Sequence, residues 1–285
     1  MRIDLHTHSA ASDGTDTPAA LVRAAAASGL DVVAVTDHDT TAGWSEAVAA
    51  CPPGLTVVPG VEFSCVHEPS GGRRISLHVL GYCLDPDDAA LRAERRRLRA
   101  GRRDRARTMV NRLAAAGYPI SWAAVSEHAG DAPVGRPHIA RALVSAGAAS
   151  DVPAAFAGPL SWRAGFYVRK PDTPVLDAIR MIRAAGGLPV FAHPIARRRG
   201  PVVDDSVVAD MAAAGLVGIE VDHPDHDAED RRHAARLAAD LDLVPTGSSD
   251  YHGDNKPNRL GQCLTGPDAY ERLLALPHAT EPVRG

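Results

Sequence analysis

Short runs of β-branched and apolar residues alternate along the chain with alanine-rich segments of helical character. The run Val32-Val33-Ala34-Val35 has no polar interruption, which is typical of a strand covered on both faces. Strands are predicted at residues 2–6, 32–36, 56–58, 76–80, 188–192, 217–221 and 243–246. Strands that alternate with helices indicate repeated βα units. The chain is therefore predicted to have an α/β fold, with about seven parallel strands close to a barrel.

Helical signals are clearest near the N-terminus and in the middle of the chain. A helix is predicted to begin at Pro18, with Thr17 as its N-cap and Gly29 closing its end. Between residues 87 and 171 the strand pattern stops, and helices are predicted over 91–116, 122–128 and 138–146. We interpret residues 1–86 and 172–285 as the barrel. Residues 87–171 are expected to be a helical insertion that forms a substrate-binding cap.

Composition narrows the class of protein. At 285 residues and 45% hydrophobic residues, the chain can bury a full core. It contains no apolar run of about eighteen residues and no secretory leader pattern, so a cytoplasmic protein without a membrane partner is expected. The net charge of -4 gives no overall attraction to nucleic acid. The four cysteines have no Cys-x-x-Cys spacing and are expected to be buried thiols.

Metal-capable side chains follow the ends of nearly all the predicted strands. In a barrel of parallel strands these ends meet on one face, where active sites are built. A single histidine in such a place is more often structural, but so many together favour a site that binds several metal ions. Carboxylates suit hard and borderline ions, and imidazole suits Zn, Mn or Fe. The candidate residues are His6, His8, Asp13, Asp37, His38, Glu62, His78, His193, Asp250 and His252.

The other histidines are given different roles. His67, His128, His233 and His278 lie in predicted loops or helices and are expected to be ordinary surface residues. His223 and His226 follow a strand and could line the mouth of the site, although a role outside metal binding is favoured for both.

A set of motifs resembles one family closely. In order along the chain they are His6-Thr7-His8-Ser9, Ser12-Asp13-Gly14, Thr36-Asp37-His38, Pro59-Gly60-Val61-Glu62, His78-Val79-Leu80-Gly81-Tyr82, Ala192-His193-Pro194 and Ser249-Asp250-x-His252-Gly253. Together they resemble the motifs of the polymerase and histidinol phosphatase (PHP) family. The resemblance implies a distorted (β/α)7 barrel with a helical insertion subdomain and three divalent metal ions (Mn, Zn or Fe).

The same resemblance implies how the ligands are shared. His6, His8, Glu62 and Asp250 would hold the first ion. Glu62 would also bridge to a second ion bound by His78 and His193, and Asp13, His38 and His252 would hold the third. Asp37 is expected to orient a ligand histidine by accepting its other ring N–H. His193 and Asp37 are thus the predicted catalytic residues.

The predicted activity is hydrolysis of a phosphate monoester by a metal-activated hydroxide. Three divalent ions would outweigh three carboxylates, so the pocket would attract phosphate although the protein is acidic. The sequence has no Gly-x-Ser-x-Gly motif of the kind that carries the nucleophile of many serine hydrolases, so a serine hydrolase is not indicated. Among PHP proteins the chain resembles the stand-alone branch, which implies a nucleotide substrate such as a 3′,5′-bisphosphate.

Two alternatives stay open: a 5′-to-3′ exonuclease on short RNA, and a phosphatase for a metabolite such as histidinol phosphate. The resemblance implies that Arg136 and a second basic residue bind the other phosphate of the substrate. Arg163 is expected in that second role, with Lys170 or Arg169 as substitutes. The arginines between residues 92 and 112 are interpreted as a solvated helix face, because no aromatic residues are interleaved with them.

Overall fold

Seven strands form a continuous sheet that curves into a nearly closed barrel. The computed structural model describes residues 1–69, 72–130, 132, 134–169 and 171–285. The strands are β1 (Ile3–Thr7), β2 (Val32–Val35), β3 (Thr56–His67), β4 (Ile75–Tyr82), β5 (Thr173–Pro174), β6 (Leu188–Phe191), β7 (Gly218–Asp222), β8 (Val244–Gly247) and β9 (Val283–Arg284). Hydrogen bonding connects them in the order β1-β2-β3-β4-β6-β7-β8, and the short β5 and β9 pair with β3. Bridges from Thr7 to Tyr251 and from Ile3 to Thr265 join the first strand to the segment after β8.

The prediction of an all-parallel barrel is wrong for β4, which runs antiparallel to both β3 and β6. The reason is the connection between β3 and β4, which spans only residues 68–74, whereas a parallel pair needs a crossover of about a dozen residues or more. Strand β3 also continues well past its predicted end at residue 58, to His67. As a result Glu62 lies within a strand rather than after one.

Helices flank the barrel and form the insertion. They are α1 (Pro18–Ala27), α2 (Trp44–Ala49), α3 (Ala89–Ala115), α4 (Trp122–Ala129), α5 (Arg136–Ser145), α6 (Val152–Ala157), α7 (Val175–Ala184), α8 (Asp205–Ala213), α9 (Ala228–Asp240) and α10 (Pro267–Leu274). The predicted capping of α1 is confirmed: the Thr17 side chain accepts from the Ala20 backbone N–H at 3.1 Å, and Gly29 has φ +75°.

Helices α3 to α6 occupy the predicted insertion, and the described residues between 87 and 171 contain no strand. Their apolar side chains, including Met109, Leu113 and Ile139, pack into a core of their own. The first half of α3 instead contributes Leu91 and Leu98 to the core between the sheet and α7. The long helix α3 therefore joins the insertion to the barrel through shared packing.

Alternation along the strands places large apolar side chains such as Leu5, Leu80 and Val190 in one shared core with residues of the neighbouring strands. Cys65, Cys83 and Cys263 are buried, while Cys51 is partly exposed. Across the described ranges, no helix has the length and apolar character needed to cross a bilayer.

Candidate metal centre

The histidines and carboxylates predicted from the strand ends converge on one end of the barrel. His6 lies in β1 and His8 directly after it, and neither side chain is exposed to solvent. Asp13 and His38 come from the loops after β1 and β2, while His193, Asp250 and His252 follow β6 and β8. His193 and Asp250 adopt left-handed backbone conformations, with φ +32° and +51°. Such strained backbone in residues with a side chain tends to occur at functional sites.

Glu62 is the centre of the cluster. Its Oε2 atom lies 3.3 Å from His6 Nε2, 3.1 Å from His8 Nε2 and 3.1 Å from His38 Nδ1. Its Oε1 atom lies 2.7 Å from His78 Nδ1 and 3.1 Å from His193 Nε2. One buried carboxylate thus has five imidazole nitrogens around it, as a carboxylate shared between two metal positions would require.

Two further carboxylates complete the cluster on either side of Glu62. The Oδ1 atom of Asp250 lies 3.5 Å from both His6 Nε2 and His8 Nε2. Asp13 approaches His252 Nε2 at 3.4 Å and His38 Nε2 at 3.8 Å. The structure therefore brings all nine predicted ligands together.

The donor set fits divalent metal ions. Ligand atoms of three groups lie within 4.8 Å of one another: His8, Asp13, His38 and His252; His6, His8 and Asp250; and His38, Glu62 and His78. Among the described residues, the Nδ1 atom of His8 is buried without a hydrogen-bond partner. Leaving such a buried polar atom unpaired is costly, so a ligand for it is expected. Imidazole nitrogen with carboxylate oxygen suits Zn, Mn or Fe.

The charge states of the cluster are mixed. Against the effect of burial, carboxylates such as Glu62 raise the pKa values of His6 and His8, so these two rings must release a proton when a metal ion binds, whereas Glu62 and His193 are already in their metal-binding forms. Burial on its own would raise the pKa of Glu62, but His38, His78 and His6 outweigh it and hold that pKa well below its usual value. Burial and the positive charge of Arg199 lower the pKa of His193 to about 3. At neutral pH the carboxylate is therefore ionised and His193 is neutral, which are the forms that bind a metal ion.

The position of Asp37 differs from the expectation that it orients a histidine. Its carboxylate accepts from the Ser9 backbone N–H at 2.8 Å, from the Ser9 hydroxyl at 2.7 Å and from the Ser12 hydroxyl at 2.6 Å. These three bonds occupy both oxygens. Asp37 consequently holds the loop that carries Asp13. It does so through hydrogen bonds from two hydroxyls and one backbone N–H of that loop.

Glu220 has the role that was expected of Asp37. Its Oε1 atom lies 2.9 Å from His6 Nδ1, and its Oε2 atom accepts from the His193 backbone N–H at 2.6 Å. Glu220 was not predicted from the sequence. A charged side chain in the middle of the apolar run Gly218-Ile219-Glu220-Val221 was the available signal.

Three donors face the outer oxygen of Asp250. Arg199 Nη2 lies 2.6 Å and Lys256 Nζ 2.7 Å from Asp250 Oδ2, and His223 Nε2 lies 3.5 Å from the same atom. His223 Nδ1 accepts from the Asp225 backbone N–H, so its proton sits on Nε2 and points toward the centre. His223 Nε2 makes no hydrogen bond with the described residues, whereas both ring nitrogens of His226 have hydrogen-bond partners outside the cluster.

The predicted substrate-binding residues fall in different places. The Arg136 guanidinium lies over the rings of Phe156 and Tyr167, at 5.2 and 5.5 Å from their centroids. The Arg163 guanidinium lies 5.1 Å from the ring centroid of Trp162, a side chain that is 63% exposed. Lys170 lies outside the described residues. Arg163 therefore does not lie beside Arg136. It packs instead on Trp162, the residue that precedes it in the chain.

Arg105 on α3 is a second buried cation, and it was not among the residues predicted from the sequence. Burial, together with the charges of Arg136 and Arg102, lowers the pKa of Arg105 to about 9. Its Nε atom is buried without a hydrogen-bond partner. Arg102, one turn earlier on α3, donates to Asp39 Oδ2 at 2.7 Å and to Ser64 Oγ at 2.6 Å. The Arg105 charge is thus near Arg102, which binds Asp39, the residue after His38.

A barrel with buried histidines and carboxylates gathered at one end is the arrangement of a metal-dependent hydrolase. Residues 4–128 match the model of the PHP domain. The chain is 36% identical over 264 residues to a 3′,5′-nucleoside bisphosphate phosphatase of Chromobacterium violaceum, covering 90% of this chain and 89% of the relative. It is 34% identical over 252 residues to a 5′-3′ exoribonuclease of Haemophilus influenzae, covering 88% and 90%.

A solved structure from Bifidobacterium adolescentis, described as a metal-dependent phosphoesterase, superimposes with a TM-score of 0.90. It shares 37% identity with this chain, and 96% of each chain is covered. The chain therefore belongs to the PHP family. It is a metal-dependent enzyme that hydrolyses phosphoric esters, and the expected distorted seven-stranded barrel is confirmed.

Proposed function

We propose that this enzyme binds three divalent ions and removes a phosphate from a nucleotide that carries two phosphates, of the 3′,5′-bisphosphate type. His6, His8, Glu62 and Asp250 would hold the first ion. The second would be shared by Glu62, His78 and His193, and the third by Asp13, His38 and His252. The distances around Glu62 support this division, because its two oxygens face different sets of imidazoles. Bound there, the ions would activate water and neutralise charge on the phosphoryl oxygens.

Residues of the chain have separate tasks in this scheme. Glu220 keeps the His6 proton on Nδ1, so that Nε2 presents its lone pair to the centre. His193 would contribute to catalysis by holding the second ion, since its Nε2 atom lies 3.1 Å from Glu62 Oε1. Arg199 and Lys256 place positive charge at the outer edge of the centre, where it favours an anionic substrate.

Arg105 and Arg136 would bind the second phosphate of the substrate. Both guanidinium groups are largely withdrawn from water, and among the described residues neither has a carboxylate within salt-bridge distance. Burying an unpaired cation is costly unless an anion completes the site. Arginine binds phosphate oxygens through its planar fork, so a second phosphate of the substrate is a suitable partner.

The helical insertion supplies these arginines from α3 and α5. We therefore assign residues 87–171 as a cap over the metal centre, with the barrel as the catalytic unit. The relative from Chromobacterium violaceum, a 3′,5′-nucleoside bisphosphate phosphatase, supports the choice of substrate.

Phosphate release by the Mn-loaded enzyme tests the proposal. Adenosine 3′,5′-bisphosphate, AMP, histidinol phosphate and a 5′-phosphorylated short RNA would be compared side by side. A kcat/KM for the bisphosphate well above those for AMP and histidinol phosphate is expected. Faster hydrolysis of histidinol phosphate would instead assign the site to a metabolite other than a nucleotide.

A further inference from the structure

His223 places an unpaired hydrogen-bond donor beside the metal centre. It is the first residue after β7, and Pro224 follows it in the turn. Its side chain has no exposure to solvent. Among the described residues, its Nε2 atom has no hydrogen-bond partner. A buried donor without a partner is costly to the folded chain, so a ligand for this nitrogen is expected.

The ring of His223 is held in one orientation by its surroundings. Its Nδ1 atom accepts from the Asp225 backbone N–H at 3.0 Å. A ring nitrogen that accepts a hydrogen bond carries no proton, so the proton of the neutral ring is on Nε2. The His223 carbonyl accepts from the His226 backbone N–H at 3.0 Å and from Arg231 Nη2 at 3.2 Å, and these bonds hold the turn. His223 is therefore a fixed donor, and this role requires it neither to gain nor to lose a proton.

Two of the expected metal ligands lie next to this donor. The Nε2 atom of His223 is 3.5 Å from Asp250 Oδ2. The centroid of the His223 ring is 5.4 Å from that of the His193 ring. Asp250 is assigned above to the first ion and His193 to the second. The donor therefore lies beside ligands of both ions that would act on the substrate.

Asp250 does not need the proton of His223. Its Oδ2 atom already accepts from Arg199 Nη2 at 2.6 Å and from Lys256 Nζ at 2.7 Å. A carboxylate oxygen has two lone pairs, and these two charged donors occupy both. Arg199 also donates to Asp225 Oδ2 at 2.6 Å, so its guanidinium is bound to two carboxylates. His223 Nε2 can therefore donate to a bound ligand without breaking a hydrogen bond of the protein.

We propose that His223 Nε2 donates a hydrogen bond to a non-bridging oxygen of the phosphoryl group that is hydrolysed. The proposal rests on the function proposed above, in which the reacting phosphoryl group is the part of the substrate that comes to the ions. Hydrogen bonds to ionised oxygens are about twice as strong as those between neutral groups. A donor fixed in advance and withdrawn from water stabilises the charge of the transition state without having to reorient. Arg105 and Arg136 contact the other phosphate, so His223 has a separate role.

Two substitutions separate the donor from the rest of the ring. In His223→Asn, the side-chain oxygen can replace Nδ1 as the acceptor for the Asp225 N–H, but no donor reaches the position of Nε2. In His223→Gln, the longer side chain can bring its amide N–H to that position. The Kd of inorganic phosphate for the Mn-loaded enzyme, measured by isothermal titration calorimetry, should rise about tenfold in His223→Asn and stay within about threefold in His223→Gln. The control is His233→Asn, at a histidine that pairs with Asp205 outside the cluster, and it should leave this Kd unchanged.

Kinetics and metal content of the same preparations exclude other roles for His223. In His223→Asn, kcat/KM should fall about 100-fold with adenosine 3′,5′-bisphosphate and with AMP alike, because both present a phosphoryl group to the ions. Its Mn content at fixed free Mn should equal that of the unmodified enzyme, and a loss of Mn would overturn the proposal by making His223 a support of the metal ligands.

Two results of the phosphate titration would also overturn it. One is an equal Kd for His223→Asn and the control, whether or not the bisphosphate is hydrolysed. The other is a Kd for His223→Gln as high as that for His223→Asn, because the ring itself and not its N–H would then matter. Absence of bisphosphate hydrolysis in the unmodified enzyme would contradict the proposed function alone, since the binding of inorganic phosphate tests His223 without a nucleotide.

Discussion

The Nδ1 atom of His6 lies 2.9 Å from the Oε1 atom of Glu220, although the two residues are 214 positions apart in sequence. Strand β7 brings the carboxylate to the barrel interior, where its other oxygen accepts from the His193 backbone N–H. One buried carboxylate thus determines the orientation of two histidines of the metal centre. Carboxylates that bind the far nitrogen of a ligand histidine fix its tautomer and raise its basicity.

Replacing Glu220 with glutamine should weaken metal binding about 10- to 100-fold. Glutamine offers one acceptor oxygen where the carboxylate offers two, so either the His6 ring or the His193 backbone loses its partner. Metal content after dialysis at fixed free Mn, measured by mass spectrometry, checks the expectation. Glu271→Gln on the exposed face of α10 is the matched control. Unchanged metal content in Glu220→Gln would show that His6 does not need this carboxylate.

The chain positions of the ligands could be predicted from sequence because strands of parallel sheets end at one rim. The hydrophobic runs of β1, β2 and β8 end shortly before His8, His38 and Asp250, so these three residues could be placed at that rim from the sequence. Glu220 could not be found in this way, since its partner is supplied by a distant strand. The direction of β4 depended on the length of a connection, and Arg105 depended on which face of α3 turns inward. The positions of Glu220 and Arg105 arise from tertiary packing, which periodicity does not contain, and the direction of β4 was missed because β3 runs to His67 instead of ending at residue 58.

His193→Ala should abolish turnover and leave the fold intact. The ring lies at one end of the cluster, 3.1 Å from Glu62 Oε1, and takes no part in the apolar cores. Phosphate release and the circular dichroism spectrum of the same sample are the measurements. A near-normal rate would remove His193 from the catalytic residues.

Arg105→Met should lower kcat/KM for the bisphosphate at least about tenfold while the rate on AMP changes little. The same substitution removes a buried cation that has no carboxylate partner, and an apolar side chain of similar length fills its space. The free energy of unfolding should therefore stay constant or rise, as is common when a strained functional group is removed. Urea unfolding beside the kinetics checks both parts. Lower stability with an unchanged substrate preference would mean that Arg105 is structural.

Removal of divalent metal with EDTA should abolish hydrolysis and lower the melting temperature, because ions that bind only the folded chain stabilise it. Addition of Mn to the dialysed protein should restore both. Mass spectrometry of the restored enzyme should give about three ions per chain if the proposed division of ligands holds. A ratio near one would contradict that division.

His138 should make the protein less stable in mild acid. Burial lowers its pKa to about 4, and its Nδ1 atom accepts from the Gly135 backbone N–H at 2.9 Å. The unfolded chain takes up a proton on this residue near its usual pKa of about 6.5, whereas the folded chain resists protonation until about pH 4. The stabilising contribution is therefore complete above pH 6.5 and is lost as the pH falls toward 4.

The expected loss between pH 7.5 and pH 5.0 is about 2 kcal/mol. Glutamine can accept from the same backbone N–H but does not titrate, so His138→Gln should remove this part of the acid sensitivity. Urea unfolding of both metal-free proteins at the two pH values gives the difference, and the other histidines cancel in the comparison. An identical pH dependence for the two proteins would show that His138 is protonated as easily in the folded chain as in the unfolded one.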